Sequence, residues 1–115
     1  MRKMHKPEIK RDPMYQLLRE EKIEEFNQRR AAGEICHLQN ADLRGLDLRG
    51  LIADNLDLSG TYLRQADLRG VNLSNAQLEG ASISGAKISG TYFPKQLTPE
   101  EITLSLVHGT RLRYC

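Results

Sequence analysis

The sequence has few aromatic residues and few cysteines. It has no tryptophan, aromatic residues make up 5% of it, and its two cysteines are Cys36 and the last residue, Cys115. Two cysteines so placed are poorly positioned to pair, and a reduced, cytoplasmic protein is the simpler interpretation. No run of about twenty apolar residues is present, so we expect no transmembrane helix. The first twelve residues contain no apolar stretch, so we expect no secretory signal.

The net charge of the chain is also small. The 115 residues include 17 Lys and Arg against 15 Asp and Glu, which gives a formal net charge of +2. A charge this small does not by itself indicate binding to nucleic acid. The length corresponds to one domain.

What the sequence does contain is a repeat of five residues between positions 36 and 95. The segment divides into twelve pentads in one frame, among them ADLRG, LDLSG and AKISG, and the third residue is Leu, Ile or Phe in all but one of them. A period of five matches neither an α-helix nor a β-strand. It predicts a solenoid, in which each unit buries its apolar side chains by stacking on its neighbours. Gly or Asn usually ends the pentad, which indicates a corner.

The pattern Ala-Asp-Leu-x-Gly, found at residues 41–45 and 66–70, resembles the pentapeptide-repeat family. The resemblance covers residues 36–95. It implies a right-handed quadrilateral β-helix of about three coils, with four pentads in each coil. Residues twenty apart should then stack, which places the small Ala53 in one column with Phe93. In the neighbouring column, the large Leu51 accompanies the small Ala53, and the small Thr91 accompanies the large Phe93. A close-packed interior requires such a compensation of volume. The predicted fold class is therefore an all-β solenoid with helical caps.

The segment 12–33 is predicted to be an N-terminal helical cap that follows a basic, flexible tail at residues 1–11. Asp12 and Pro13 have the residue types of a helix start, and Gly33 fits the end. The apolar residues do not form one stripe, so the segment is either two helices joined near Glu20 or one helix that contacts two surfaces. The residues expected to cover the first coil are Ile23 and Phe26.

The segment 96–115 is predicted to be a C-terminal helical cap. Thr98 and Glu101 have the spacing of a capping box, and the helix is expected to run to about His108 and stop at Gly109. The residues expected to cover the last coil beside Phe93 are Leu104, Leu106 and Val107. Residues 110–114 are expected to form a short edge strand or a dimer contact, so a homodimer through the C-terminal segment is one candidate assembly.

The sequence shows no set of residues that predicts catalysis. His5, His37 and His108 lie in three different segments. Cys36 and His37 are expected to point in opposite directions, and glycines such as Gly45 recur with the repeat rather than as a phosphate-binding loop. We therefore expect no enzymatic activity, no cofactor and no metal.

The candidate binding residues lie at outward positions of the pentads and are Arg44, Arg49, Arg64, Arg69, Tyr62 and Tyr92. If residues twenty apart stack, Arg44 lies beside Arg64 and Arg49 lies beside Arg69. Like charges in such neighbouring positions repel. The aspartates expected to relieve this repulsion, and to be exposed, are Asp42, Asp47 and Asp67. The arginines form either a solvated face of mixed charge or a binding patch for carboxylates or nucleic acid. Exposed aromatic residues beside arginine are typical of interfaces.

We therefore predict a non-enzymatic protein–protein interaction module. The alternative is a nucleic-acid-binding accessory protein that uses the stacked arginines and the basic tail. Some pentapeptide-repeat proteins resemble B-form DNA, bind DNA gyrase and confer quinolone resistance, so the resemblance also implies a DNA-mimic gyrase inhibitor. Such mimicry needs a long, strongly acidic rod. Residues 36–95 contain six acidic and six basic residues, so this interpretation is the least favoured of the three.

Overall fold

The computed structural model describes residues 11–115, so the predicted basic tail lies, except for Arg11, outside the described residues. This part of the chain contains three α-helices, α1 (Pro13–Arg19), α2 (Ile23–Ala31) and α3 (Pro99–His108), with the pentads between α2 and α3. None of these three helices is long and apolar enough to cross a membrane.

Residues twenty apart in the pentads stack through isolated parallel β-bridges. Tyr62, for example, bridges Asp42 on one side and Ser82 on the other. The amide of Leu43 donates to Tyr62 O at 2.9 Å, and the amide of Tyr62 donates back to Ala41 O at 3.0 Å. The predicted register of twenty residues is therefore confirmed. The described residues contain bridges but no continuous strand, because a turn after every few residues interrupts each ladder.

The register divides the pentads into three coils, residues 36–55, 56–75 and 76–95, and into four faces of three stacked pentads. The first face begins at residues 36, 56 and 76, the second at 41, 61 and 81, the third at 46, 66 and 86, and the fourth at 51, 71 and 91. Successive faces meet at residues with positive φ, as at Gly60 (φ 68°) and Asn40 (φ 64°). The predicted corners are therefore present.

The third residues of the pentads fill the core between the faces. Leu43, Leu63 and Leu73 are each 0% exposed. Ala53 is buried next to a buried Leu51, and Phe93 packs against the core as a partly buried side chain. The repeat period therefore identifies the core correctly.

The N-terminal cap segment forms two helices, the first of the two alternatives. Glu21, between α1 and α2, has a φ of 58°, and the amides of Glu21 and Lys22 donate to Leu18 O and Leu17 O. This is the Schellman arrangement that ends a helix, with Glu where Gly is more usual. The two helices present separate apolar residues to the core, and Phe26 is fully buried as expected.

Side chains of the N-terminal segment cover the lower edge of the stack, meaning the backbone groups of the first coil that point away from the second coil. The bonds reach all four faces: Asp12 Oδ2 accepts from His37 N at 2.8 Å, Tyr15 Oη donates to Asp42 O at 2.8 Å, Glu21 Oε2 accepts from Asp47 N at 2.6 Å, and Asn27 Oδ1 accepts from Ile52 N at 3.0 Å. Unpaired backbone groups at a sheet edge promote aggregation, and these polar side chains bond to one such group on each face.

The α3 helix begins and ends as predicted, but it presents a different face to the last coil. Thr98 Oγ1 accepts from Glu101 N at 3.1 Å, and Gly109 (φ 74°) ends the helix. The expectation that Leu104 and Val107 cover the last coil is wrong, since they are 38% and 63% exposed. Ser105 is buried instead, because its Oγ accepts from the otherwise unpaired amide of Ile83 at 3.1 Å.

The chain after α3 lies along the upper edge of the stack, meaning the backbone groups of the third coil that point away from the second coil. Leu112 donates to Ala81 O at 2.8 Å and accepts from Gly80 N at 2.7 Å. The hydroxyl of Tyr114 accepts from Leu78 N at 2.9 Å. Within residues 110–114, backbone pairing with the coils is therefore limited to Leu112, and the predicted edge strand does not form over the whole segment.

Candidate interaction surface

The structure distributes the six predicted binding residues over three faces. Arg44, Arg64 and Tyr62 lie on the second face, Arg49 and Arg69 on the third, and Tyr92 on the fourth. The stacked arginines therefore form two separate pairs with different surroundings.

On the third face, carboxylates pair with both arginines. Arg49 Nη2 lies 2.7 Å from Asp47 Oδ2, and Arg69 Nη2 lies 2.7 Å from Asp67 Oδ2. Arg49 Nε also lies 3.4 Å from Asp67 Oδ2, so one guanidinium joins two coils. Hydrogen bonds from Arg69 hold the pKa of the Asp67 carboxyl far below its ordinary value, and the charge of Arg49 adds to the effect. The predicted relief of arginine repulsion by aspartates is confirmed here, and this pairing leaves little net charge for a partner.

On the second face the balance is different. Asp42 pairs with Arg44 through two hydrogen bonds of 2.8 Å, which lower the pKa of its carboxyl. The expectation that Asp42 is exposed is wrong, because Tyr15 and Arg19 of α1 pack over its backbone carbonyl and leave the residue 7% exposed. None of the ion pairs among the described residues includes Arg64, which occupies the equivalent position one coil above Arg44.

Two arginines from outside the pentads also lie on the second face. Arg19 Nη1 donates to Asp42 O at 3.4 Å, and Arg111 Nη1 donates to Gly80 O at 2.7 Å. The Arg111 guanidinium is 5.1 Å from the centre of the Tyr62 ring and donates to the Tyr62 hydroxyl at 2.5 Å. Tyr62, expected to be exposed, is therefore half-buried beneath Arg111. We call Arg19, Arg44, Arg64 and Arg111 the second-face arginines.

Sequence reasoning identified two of the second-face arginines and missed the other two. Arg44 and Arg64 recur with the pentad, whereas Arg19 and Arg111 belong to segments that do not repeat. Only the packing of α1 and of the C-terminal segment against the coils places them here. No signal in the repeat could have assigned them to this face.

A groove of about 870 Å³ adjoins the second-face arginines at the upper edge. It lies between α3 and the segment after it, and Arg111, Arg113, Leu104, Leu112 and Glu79 are among its lining residues. Leu104 is partly exposed there. The groove therefore combines apolar surface with charges of both signs.

The fourth face carries the exposed Tyr92 and has little charge. Tyr92 is 67% exposed, and Ile52, two coils below it, is 57% exposed. Asn72 lies between them in the same column and bridges to Tyr92. Tyr92 and Tyr62 therefore lie on different surfaces.

Among residues 11–115, no group of three or more His, Cys, Asp and Glu side chains could hold a metal ion. Cys36 and Cys115 are both free, and burial raises the pKa of the Cys36 thiol, which disfavours its reactive thiolate form.

A family model of pentapeptide repeats matches the chain in eight copies, over residues 36–70 and 57–93. The matched residues make up half of the chain, which therefore belongs to the pentapeptide-repeat family. Membership is consistent with a non-enzymatic repeat protein. Neither the curated proteins nor the solved structures with which the chain was compared gave a match.

Proposed function

We propose that this chain is a non-enzymatic protein–protein interaction module of the cytoplasm, built on a right-handed quadrilateral β-helix. The register of twenty residues and the corner after each pentad support four sides per coil. The two free cysteines are compatible with a reducing compartment.

The second face is the proposed binding surface, and its partner is a protein segment that presents carboxylates. The observation that carries this proposal is the imbalance of charge: among residues 11–115, Arg44 is the one second-face arginine that forms an ion pair, with Asp42, whereas Arg19 and Arg111 donate to backbone carbonyls. Guanidinium groups bind carboxylates through paired hydrogen bonds. The third face supports the contrast, since its arginines already have such partners in Asp47 and Asp67.

The groove beside Arg111 favours a protein over a nucleic acid as the partner. The partly exposed Leu104 gives it apolar surface, against which an apolar side chain of a protein could pack. A protein partner with an acidic segment next to an apolar residue fits both the second-face arginines and this apolar surface.

Arg64→Ser tests the proposal, with Arg69→Ser as its matched control. Both arginines occupy the fourth position of a pentad in the second coil, but Arg69 is ion-paired with Asp67 and Arg64 has no ion pair among the described residues. A partner that co-purifies with the native chain is expected to bind Arg64→Ser more weakly and to bind Arg69→Ser as before. Equal binding of both variants by the purified partner would remove the second face from consideration.

The alternative function is binding of nucleic acid by the same arginines and the basic residues before Asp12. The basic residues of that tail are Arg2, Lys3, Lys6, Lys10 and Arg11. This alternative predicts an affinity for duplex DNA that falls steeply with salt and weakens in Arg64→Ser. Absence of binding at low salt would exclude it. A DNA-mimic gyrase inhibitor remains the least favoured function, since the repeat region has as many basic as acidic residues.

The predicted homodimer through the C-terminal segment remains a proposal. Leu112 and Tyr114 pair with the chain's own third coil, so a dimer would use the outer side of residues 110–114. A molecular mass of two chains in light scattering would support it, and a mass of one chain would contradict it.

A further inference from the structure

The upper edge of the stack is covered on two faces. On the first and second faces, the backbone groups that point away from the second coil bond to the C-terminal segment and to α3. The amide donors are Leu78, Gly80, Ile83 and Gly85, and their acceptors are Tyr114 Oη, Leu112 O, Ser105 Oγ and Leu106 O. Among residues 11–115, these hydrogen bonds follow the upper edge as far as Gly85.

The same groups on the third face have no such cover. In the second coil, the amides of Leu68 and Gly70 donate upward to Lys87 O and Ser89 O, each at 2.9 Å. The equivalent groups of the third coil are the amides of Ile88 and Gly90. Neither of these two amides donates a hydrogen bond to any residue in the range 11–115. Gly90 is exposed, and Ile88 is half-buried.

The open edge occupies residues 86–95 and has defined limits. It begins after the bond from Gly85 N to Leu106 O, at 3.0 Å. It ends before the bond from Cys115 N to Gln96 O, at 3.1 Å. It carries Lys87 and Lys95 and has no acidic residue.

We propose that the open edge is a second binding surface, which pairs through its backbone with an extended, acidic segment of another protein. Leu112 shows in this molecule how such a segment pairs, since it donates to Ala81 O and accepts from Gly80 N. Extended peptides add to exposed edges by main-chain hydrogen bonds, while side chains supply the specificity. The carboxylates of the segment would pair with the ammonium groups of Lys87 and Lys95.

Charge argues against two other occupants. A second copy paired symmetrically through this edge would bring Lys87 and Lys95 of both chains together, and like charges directly opposite are destabilising. The tail before Arg11 has four Lys and Arg and one Glu, so it carries the same sign as the edge. Stacking of one copy on the lower edge of another is also disfavoured, because the N-terminal segment covers that edge on all four faces.

Hydrogen exchange of single amides in the full chain tests the proposal. The probe is a blocked five-residue peptide of alternating glutamate and valine. At about ten times its Kd it is expected to slow exchange of the Ile88 and Gly90 amides about tenfold, and to leave Ile83 and Gly85 unchanged. Two control peptides are not expected to slow exchange. One has lysine in place of glutamate, and the other is N-methylated at every backbone amide.

Variants separate this edge from the second face. Lys87→Glu is expected to weaken binding of the glutamate peptide, whereas Arg64→Ser should bind it as the native chain does. Loss of binding in Arg64→Ser would assign the peptide to the second face and overturn the proposal. Unchanged exchange at Ile88 and Gly90 up to the solubility limit of the peptide would also overturn it. Protection that rises with protein concentration in the absence of peptide would assign the edge to a second copy instead.

Discussion

Arg49 and Asp67 form an ion pair between two adjacent coils, with Nε 3.4 Å from Oδ2. They lie on one face but eighteen positions apart in the sequence, so the pair exists only when the coils stack in the twenty-residue register. The pKa of the Asp67 carboxyl is lowered by Arg69 and Arg49 in the folded chain. The charge of the Asp67 carboxylate therefore stabilises the folded state at every pH at which the carboxyl is ionised.

Asp67→Asn is expected to lower the melting temperature at pH 7, because it removes this charge while keeping an acceptor for the amide of Arg69. A carboxyl whose folded pKa is depressed stabilises the fold above its unfolded pKa of about 3.9, and the contribution is lost as pH falls toward the folded value. The difference between variant and native chain should therefore shrink below about pH 4. Thermal melts across this range measure it. Asp54→Asn is the control, because Asp54 is exposed on the fourth face and forms no ion pair within residues 11–115, and it should lower the melting temperature at pH 7 less than Asp67→Asn.

Gly60→Ala is expected to destabilise the chain more than Gly45→Ala. Both glycines have positive φ, 68° and 71°, so alanine is strained at each by about 1–2 kcal/mol. Only at Gly60 would the new Cβ overlap a neighbour, Oδ1 of Asn40, whereas nothing lies within 4 Å at Gly45. Unfolding in urea measures the two free energies. Adding Asn40→Gly should remove the excess cost at position 60, and a persistent excess would contradict the steric explanation.

Leu63→Ala is expected to lower the free energy of unfolding by about 2–5 kcal/mol, because it leaves a cavity in the middle coil. Leu63 is 0% exposed. Val107→Ala, at a position 63% exposed on α3, should change stability by no more than about 0.5 kcal/mol. A large loss in Val107→Ala would show that α3 packs on the last coil through the face predicted from the sequence.

Tyr15→Phe is expected to lower the free energy of unfolding by about 1–3 kcal/mol. The buried hydroxyl donates to Asp42 O at 2.8 Å, and without it that carbonyl keeps, among residues 11–115, only the 3.4 Å bond from Arg19. Tyr92→Phe, at a residue 67% exposed, is the matched control and should have little effect. Equal melting temperatures for both variants would mean that the lower edge does not depend on this bond.

The periodic part of the fold could be predicted from the sequence because each pentad carries the same information. The period fixed which residues are buried, where the corners lie and which residues stack. The ends of the helices could also be predicted, since Asp12, Thr98 and Gly109 act locally on the backbone. The break at Glu21 could be placed only approximately, because glutamate rarely adopts a positive φ.

The binding surface could be predicted only in part, because it depends on contacts between segments that do not repeat. The choice between Leu104 and Ser105 as the buried residue of α3 depends on an amide of the last coil that needs an acceptor. Hydrophobicity alone selects the wrong side of the helix. The set of four second-face arginines likewise could not be predicted from the pentads, because Arg19 and Arg111 lie outside them.

The groups that close the lower edge come from residues 12–27, which the ribosome makes before any coil. The first coil can therefore be laid on a finished base while later residues are still being added, and each new turn of the chain extends a template that already exists. The last coil depends on residues 105–114 that return to it. The residues that cover the lower edge are therefore synthesised first, and the residues that cover the upper edge are synthesised last.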